Sequence, residues 1–120
     1  VDGIGRRALE LLGMSERAWG ALHPEFSRRN LWECRFSHNP DLTWTTLDGE
    51  TVLLHTETSR YYTLNGTGSM IWEYYRPDRT LSDVLAALCE DYDVAPEQAR
   101  TDLLQFTGQL LTEDLVREEI

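Results

Sequence analysis

The sequence predicts an α+β fold: a three-stranded antiparallel sheet followed by three helices, with a helical N-terminal extension in front. Three observations predict it. Between Leu42 and Leu64, short runs of β-formers alternate with turn signals, the sharpest being Asp48-Gly49, a pair that tolerates the positive φ of a tight hairpin. Beyond Leu64 the apolar spacing changes from two to three-and-four. Helix-start signals at Thr80 and Pro96 then open two of the helices.

Residues 1–35 form the predicted extension. Ile4, Ala8, Leu11 and Leu12 share one helical face, and Gly13 reads as its C-cap. Ser15 reads as the N-cap of a second short helix carrying Trp19 and Leu22, which Pro24 ends. Residues 25–30 are a polar connection. Leu31 to Phe36 alternates, with Trp32, Cys34 and Phe36 on one side, a weak strand signal.

His38-Asn39-Pro40-Asp41 breaks the chain. Strands are predicted over Leu42–Leu47, over Thr51–Thr56 with Val52 and Leu54 on one face, and over Arg60–Leu64. Thr67 is the expected cap of a short helix holding Met70, Ile71, Trp72 and Tyr75, which Arg76-Pro77-Asp78 stops. Thr80-Leu81-Ser82-Asp83 is a capping box opening a helix with Leu81, Val84, Leu85 and Leu88 at helical spacing. Pro96 suits the first position of a third helix, whose stripe is Ala99, Leu103, Phe106 and Leu110, widened by Leu104 and Leu111. Leu115 and Val116 close the domain before an acidic end.

Charge excludes more than it suggests. The net charge is −10, and all 11 basic residues are Arg. Residues 1–38 hold six Arg against five acids, whereas residues 39–120 hold five Arg against sixteen acids, a net of −11. Such a body repels phosphate backbones, whose recognition rests on Lys and Arg. A helical tail of this kind invites comparison with winged-helix DNA binders. The would-be recognition helix, however, offers Glu97, Gln98, Asp102, Gln105 and Gln109, with Arg100 its sole base before Arg117. No apolar run reaches the roughly 18 residues of a membrane span, and no signal-peptide pattern opens the chain, so a cytoplasmic protein is expected. A chain opening on Val1 reads as a processed or cut end.

Catalytic motifs are missing: there is no G-x-S-x-G, no P-loop and no G-x-G-x-x-G, and Gly66-Thr67-Gly68 is too short to count. Cys34 and His38, joined by His23, give the one metal-like spacing, short of the four ligands of a structural zinc site. Cys89 reads as a small core residue, and Glu90, Asp91, Asp93, Glu118 and Glu119 as solvated surface. No enzyme activity and no cofactor are expected. Peptide capture by strand addition remains: the edge of a three-stranded sheet offers unpaired N–H and C=O groups, and the helices that follow the third strand can stand beside it. Tyr61 and Tyr62 divide between core and groove on this reading, and Leu103, Leu104 and Phe106 are either core or groove wall.

The pattern Leu47-Asp48-Gly49-Glu50, Val52-Leu53-Leu54, Tyr61-Tyr62-Thr63-Leu64-Asn65, Gly68, Ile71-Trp72-Glu73 resembles the PqqD family. So do Tyr92-Asp93-Val94, Ala99, Asp102-Leu103-Leu104, Leu110 and Leu115-Val116. These are recognition elements for the leader peptides of ribosomally synthesised, post-translationally modified peptides. The resemblance spans residues 36–120. It implies a winged-helix-like fold without catalysis of its own and a leader peptide held as an extra strand between the third strand and the third helix. Carried over by position, the groove residues are Arg60, Tyr61, Tyr62, Thr63, Arg100, Leu103, Leu104, Thr107 and Leu111. The implied partners are a precursor peptide and a modifying enzyme, such as a radical SAM protein, a cyclase or a leader peptidase. Alternatively, the same groove acts in cis as a regulatory or scaffolding part of a larger enzyme. Residues 1–35 lie outside the resemblance and stand as a native extension or the end of an upstream domain, a fused leader, or an arm exchanged in a dimer. The Tyr-x-x-Pro-x-Leu pattern of lasso-peptide leaders is absent from them.

Overall fold

The computed structural model describes His23 and residues 30–119; the helices expected between Ile4 and Leu22 lie outside the described residues. A 3-10 turn, Leu31–Glu33, leads into β1 (Arg35–His38), then β2 (Leu42–Leu47), β3 (Glu50–His55) and β4 (Arg60–Leu64). Three helices follow, α1 (Gly66–Tyr74), α2 (Leu81–Asp91) and α3 (Pro96–Thr112), and β5 (Val116–Glu119) closes the chain. The central sheet runs in the order β2-β3-β4, antiparallel throughout, and β1 pairs with β5 in a separate two-stranded ribbon. The sheet followed by three helices is the predicted α+β architecture; the ribbon is an addition to it.

Local signals set most boundaries. Asp48 and Gly49 both take positive φ, 54° and 79°, which fixes the β2–β3 register with Leu47 opposite Glu50. Thr80 caps α2 through the complete box: the Asp83 amide donates to Thr80 Oγ1 at 3.2 Å, and the Thr80 amide donates to Asp83 Oδ2 at 2.9 Å. Pro96 opens α3, where its missing N–H costs nothing.

Three sequence readings are corrected. The 31–36 run is not one strand: the Asn30 side chain accepts from the Trp32 amide at 3.1 Å and winds Leu31–Glu33 into a turn, and pairing begins only at Arg35. Trp32, Cys34 and Phe36 are nevertheless all buried, so residues 30–36 pack in the same core as the rest. Asn65, not Thr67, occupies the N-cap of α1. The acidic end is a strand, with Phe36 opposite Glu118 and the Ser37 hydroxyl donating to Glu119 Oε1 at 2.6 Å. On β3, Val52 and Leu54 share a face as expected, and the core takes the opposite one: Thr51, Leu53 and His55. Of the buried polar members of that trio, Thr51 bonds Ser69 and Thr46, whereas His55 reaches Asp114 through Nε2 at 3.4 Å and its Nδ1 has no hydrogen-bond partner among the described residues.

Trp72, Phe36, Phe106, Leu53, Leu64 and Ile71 form the centre of the core, fed by the sheet, by α1 and by α3. Asn39 fastens its margin: the side chain donates to the Asp114 carbonyl at 2.8 Å and accepts from the Asp41 amide at 2.9 Å. The breaker before β2 is thereby tied to the start of β5.

Candidate functional site

The strand order leaves two sheet edges, β2 and β4. Among the described residues β4 pairs only with β3, with Leu54 opposite Tyr61 and Leu53 opposite Tyr62. Antiparallel pairing uses the backbone groups of alternate residues on each side, so the other groups of Arg60–Leu64 point outward. Period two sends Tyr62 and Leu64 into the core and leaves Tyr61 on the opposite face, 51% exposed.

The start of β4 is anchored to the end of α3. Glu113, the C-cap of α3, accepts through Oε1 from the Tyr62 hydroxyl at 2.9 Å and from Arg60 Nη1 at 3.2 Å. Burial, and then the Glu113 bond, raise the Tyr62 phenol above its ordinary value, so it remains a donor throughout the physiological range. The Arg60 contact is exposed and contributes little by itself. What Glu113 supplies is position: it sets where the first turn of the edge strand stands relative to the helix.

On α3, Arg100, Leu104, Thr107 and Leu111 fall at helical spacing along one face. Arg100 is exposed with its guanidinium 4.1 Å over the Trp32 ring, a cation–π contact. Leu104 is buried, Thr107 is buried with its hydroxyl 2.6 Å from that of Tyr75, and Leu111 is half-buried. Leu103 lies in the core. Indeed Leu103 to Gly108 are six consecutive buried residues, more than a full turn, so α3 is enclosed on every side there. Of the nine residues carried over by position, Arg60, Tyr61 and Arg100 are exposed and Thr63 and Leu111 half-buried. Tyr62, Leu103, Leu104 and Thr107 are interior.

Glu113, Trp32 and Tyr75 touch Tyr62, Arg100 and Thr107 without any sequence signal for it. Glu113 follows the helix in an acidic run that looks like any solvated terminus, and Trp32 carried only an alternation signal. Cys34 and His38 are turned to other work: the Cys34 thiol lies 3.6 Å from the Asn30 carbonyl, and His38 stacks on Trp72. Among the described residues no group of three or more His, Cys, Asp or Glu gathers as a metal site. No helix among them is long and apolar enough to cross a membrane.

An α+β unit whose β4 edge is unpaired among the described residues and fastened to the end of a long helix defines the class, and comparison with known proteins gives the family. The family model for coenzyme PQQ synthesis protein D (PqqD) matches residues 50–116, more than half of the chain, and the chain belongs to this family. Among solved structures it is similar to TbiB1 in complex with the TbiA(beta) leader peptide, with a TM-score of 0.58 and 29% identity over 68% of this chain and 94% of that one. It also shares the fold of a lasso peptide synthetase B1 complexed with the leader peptide, with a TM-score of 0.57 and 23% identity over 69% and 98% of the two chains. No curated protein matches the chain.

Proposed function

We propose that this protein is a non-catalytic carrier that captures the leader region of a ribosomally made precursor peptide as an added strand on β4, beside α3. It presents that peptide to a modifying enzyme. The observation that carries the reading is the edge of β4, unpaired among the described residues of a PqqD-family chain, together with the similarity to TbiB1, a structure determined with a leader peptide.

Magnitudes say what each part must do. Pairing with five residues of β4 adds roughly five hydrogen bonds at about 0.5–1.5 kcal/mol each, while association costs about 4–15 kcal/mol. Backbone pairing therefore supplies register more than affinity, and side-chain contacts must add the remainder. In this reading Arg60, Tyr61 and Thr63 meet the peptide from the strand, and Arg100 and Leu111 meet it from the helix. Tyr62, Leu103, Leu104 and Thr107 shape the floor beneath them. The three helices and the β2–β3 hairpin make the arrangement winged-helix-like, but the net charge of −11 over residues 39–120 turns it away from nucleic acid. We place the work in the cytoplasm, with a radical SAM protein, a cyclase or a leader peptidase as the enzyme served. Because Trp32 and Cys34 belong to the core, residues 30–35 go with the domain, leaving 1–29 as the extension.

The test is affinity of the full chain for the leader segment of the precursor encoded beside its gene, measured by calorimetry for the wild type and for Tyr61→Asp. Micromolar or tighter binding, weakened about tenfold by the substitution, is the expected result. Absence of binding by a folded wild-type chain would contradict the proposal.

A further inference from the structure

The opposite edge of the sheet carries a second site. Trp44 of β2 lies opposite Leu53, so its ring projects on the core side of the sheet, yet it is 38% exposed. Next to it, His38 stacks on Trp72 with centroids 3.8 Å apart and planes within 4°. Trp44 is 5.2 Å from one ring and 5.8 Å from the other, perpendicular to both, so it stands alongside the stack and not on top of it. His38 Nε2 is 2.7 Å from the Trp72 carbonyl, a group that only accepts, which assigns the proton to Nε2. Burial lowers the His38 pKa, which favours the neutral ring. Between this cluster and the end of α1 opens a cleft of about 470 Å³, lined by His38, Trp44, Glu73, Tyr75 and Arg76. That volume is within the range of ligand-binding clefts.

We propose that this cleft is the docking pocket for a neutral aromatic side chain, tyrosine or tryptophan, presented by the enzyme to which the carrier delivers its peptide. The inference rests on the carrier reading above. Three features select the occupant. Arg76 and Glu73, the oppositely charged residues of the lining, offset one another, so a full charge of either sign that enters the cleft meets its like. A neutral ring meets neither penalty: it packs against Trp44 and places its O–H or N–H against Glu73, or its oxygen against Arg76. Large aromatic anchors in such pockets are also where protein interfaces concentrate their binding energy. Position completes the case, because β2 and β4 are separated by two strand spacings, about 10 Å, so peptide and enzyme can engage opposite edges together.

Two arms test the proposal on the full chain. In the first, N-acetyl-tryptophanamide and N-acetyl-tyrosinamide are titrated against the protein by NMR, with N-acetyl-leucinamide as control. Saturable shifts at His38, the Trp44 indole, Glu73 and Arg76, with an affinity on the order of millimolar, are expected for the aromatic amides only. In the second, the modifying enzyme of the same gene cluster is titrated against carrier loaded with leader. Trp44→Ala is expected to weaken that association about tenfold while leader affinity stays within about twofold. Arg76→Glu and Glu73→Ala, at exposed positions, repeat the measurement without touching the core. Scattered or absent amide shifts, or unchanged enzyme binding in all three variants, would overturn the docking pocket. Failure of the leader itself to bind would overturn the carrier reading instead, and the amide arm still judges the cleft.

Discussion

At one edge of the central sheet, β4 holds Tyr61 out to solvent while Glu113, from the end of α3, fastens Arg60 and Tyr62. At the other, β2 lays Trp44 beside the stacked His38–Trp72 pair, and a cleft opens next to it. The first edge offers backbone groups and a polar clamp; the second offers aromatic surface and a pair of opposite charges. A peptide strand needs the former, since it is recognised through its main chain. A protruding side chain needs the latter. One small sheet can therefore serve two partners of different kind, provided that both edges rest on one core.

That shared core is where the comparison breaks first. Trp72 is fully buried and supports His38 directly, so Trp72→Ala should cost about 3–5 kcal/mol, a large part of the stability of a domain this size. Urea denaturation should show it, and both edges should fail together. A smaller change separates them. Glu113→Ala removes the acceptor of the partly buried Tyr62 hydroxyl and should cost about 1 kcal/mol. Its amide shifts should gather on Arg60–Tyr62 and leave Trp44 unmoved; equal disturbance at both edges would show that they are not independent. Gly49→Ala acts on the hairpin that joins β2 to β3. No atom crowds the added methyl, but φ is +79°, so about 1 kcal/mol of strain is expected from backbone alone, read as a lower melting temperature.

The smallest effect is a pH dependence confined to the β2 edge. His38 is held below its ordinary value by burial, against the opposing pull of the Trp72 carbonyl and of Glu73. The unfolded chain therefore binds the proton more readily than the folded one. The stability contributed by the neutral ring is present above the unfolded value near 6.5 and is lost as pH falls from there towards the lower folded value. His38→Gln should flatten the slope of stability against pH in that window. An unchanged slope would place the titration elsewhere.

The legible parts of this fold are those with local causes. Asp48-Gly49, the Thr80–Asp83 box and Pro96 act through their own backbone, so three strands and the starts of two helices could be read directly. The illegible parts depend on distant residues. Alternation at Trp32, Cys34 and Phe36 looked like one strand because a capped turn followed by a strand buries the same three positions. Glu118 and Glu119 looked like a solvated tail because their partners, Phe36 and Arg35, are some eighty residues away. Thr51 and His55 gave no core signal, since their burial goes with contacts to the distant Ser69 and Asp114. The candidate site divides in the same way. The β4 edge followed from strand order, whereas the exposure of Arg100, the half-burial of Leu111 and the enclosure of Leu104 and Thr107 are set by tertiary packing that helical spacing does not encode.

Strand addition at β4 is the claim on which the rest depends. The most direct measurement is amide hydrogen exchange of the full chain, residue by residue, with and without the leader segment of its precursor peptide. The account expects new protection of alternate amides between Arg60 and Leu64, those that face away from β3, with β2 amides unchanged. Tight binding of the leader without any change in β4 exchange would contradict it, and would move the peptide site to another part of the molecule.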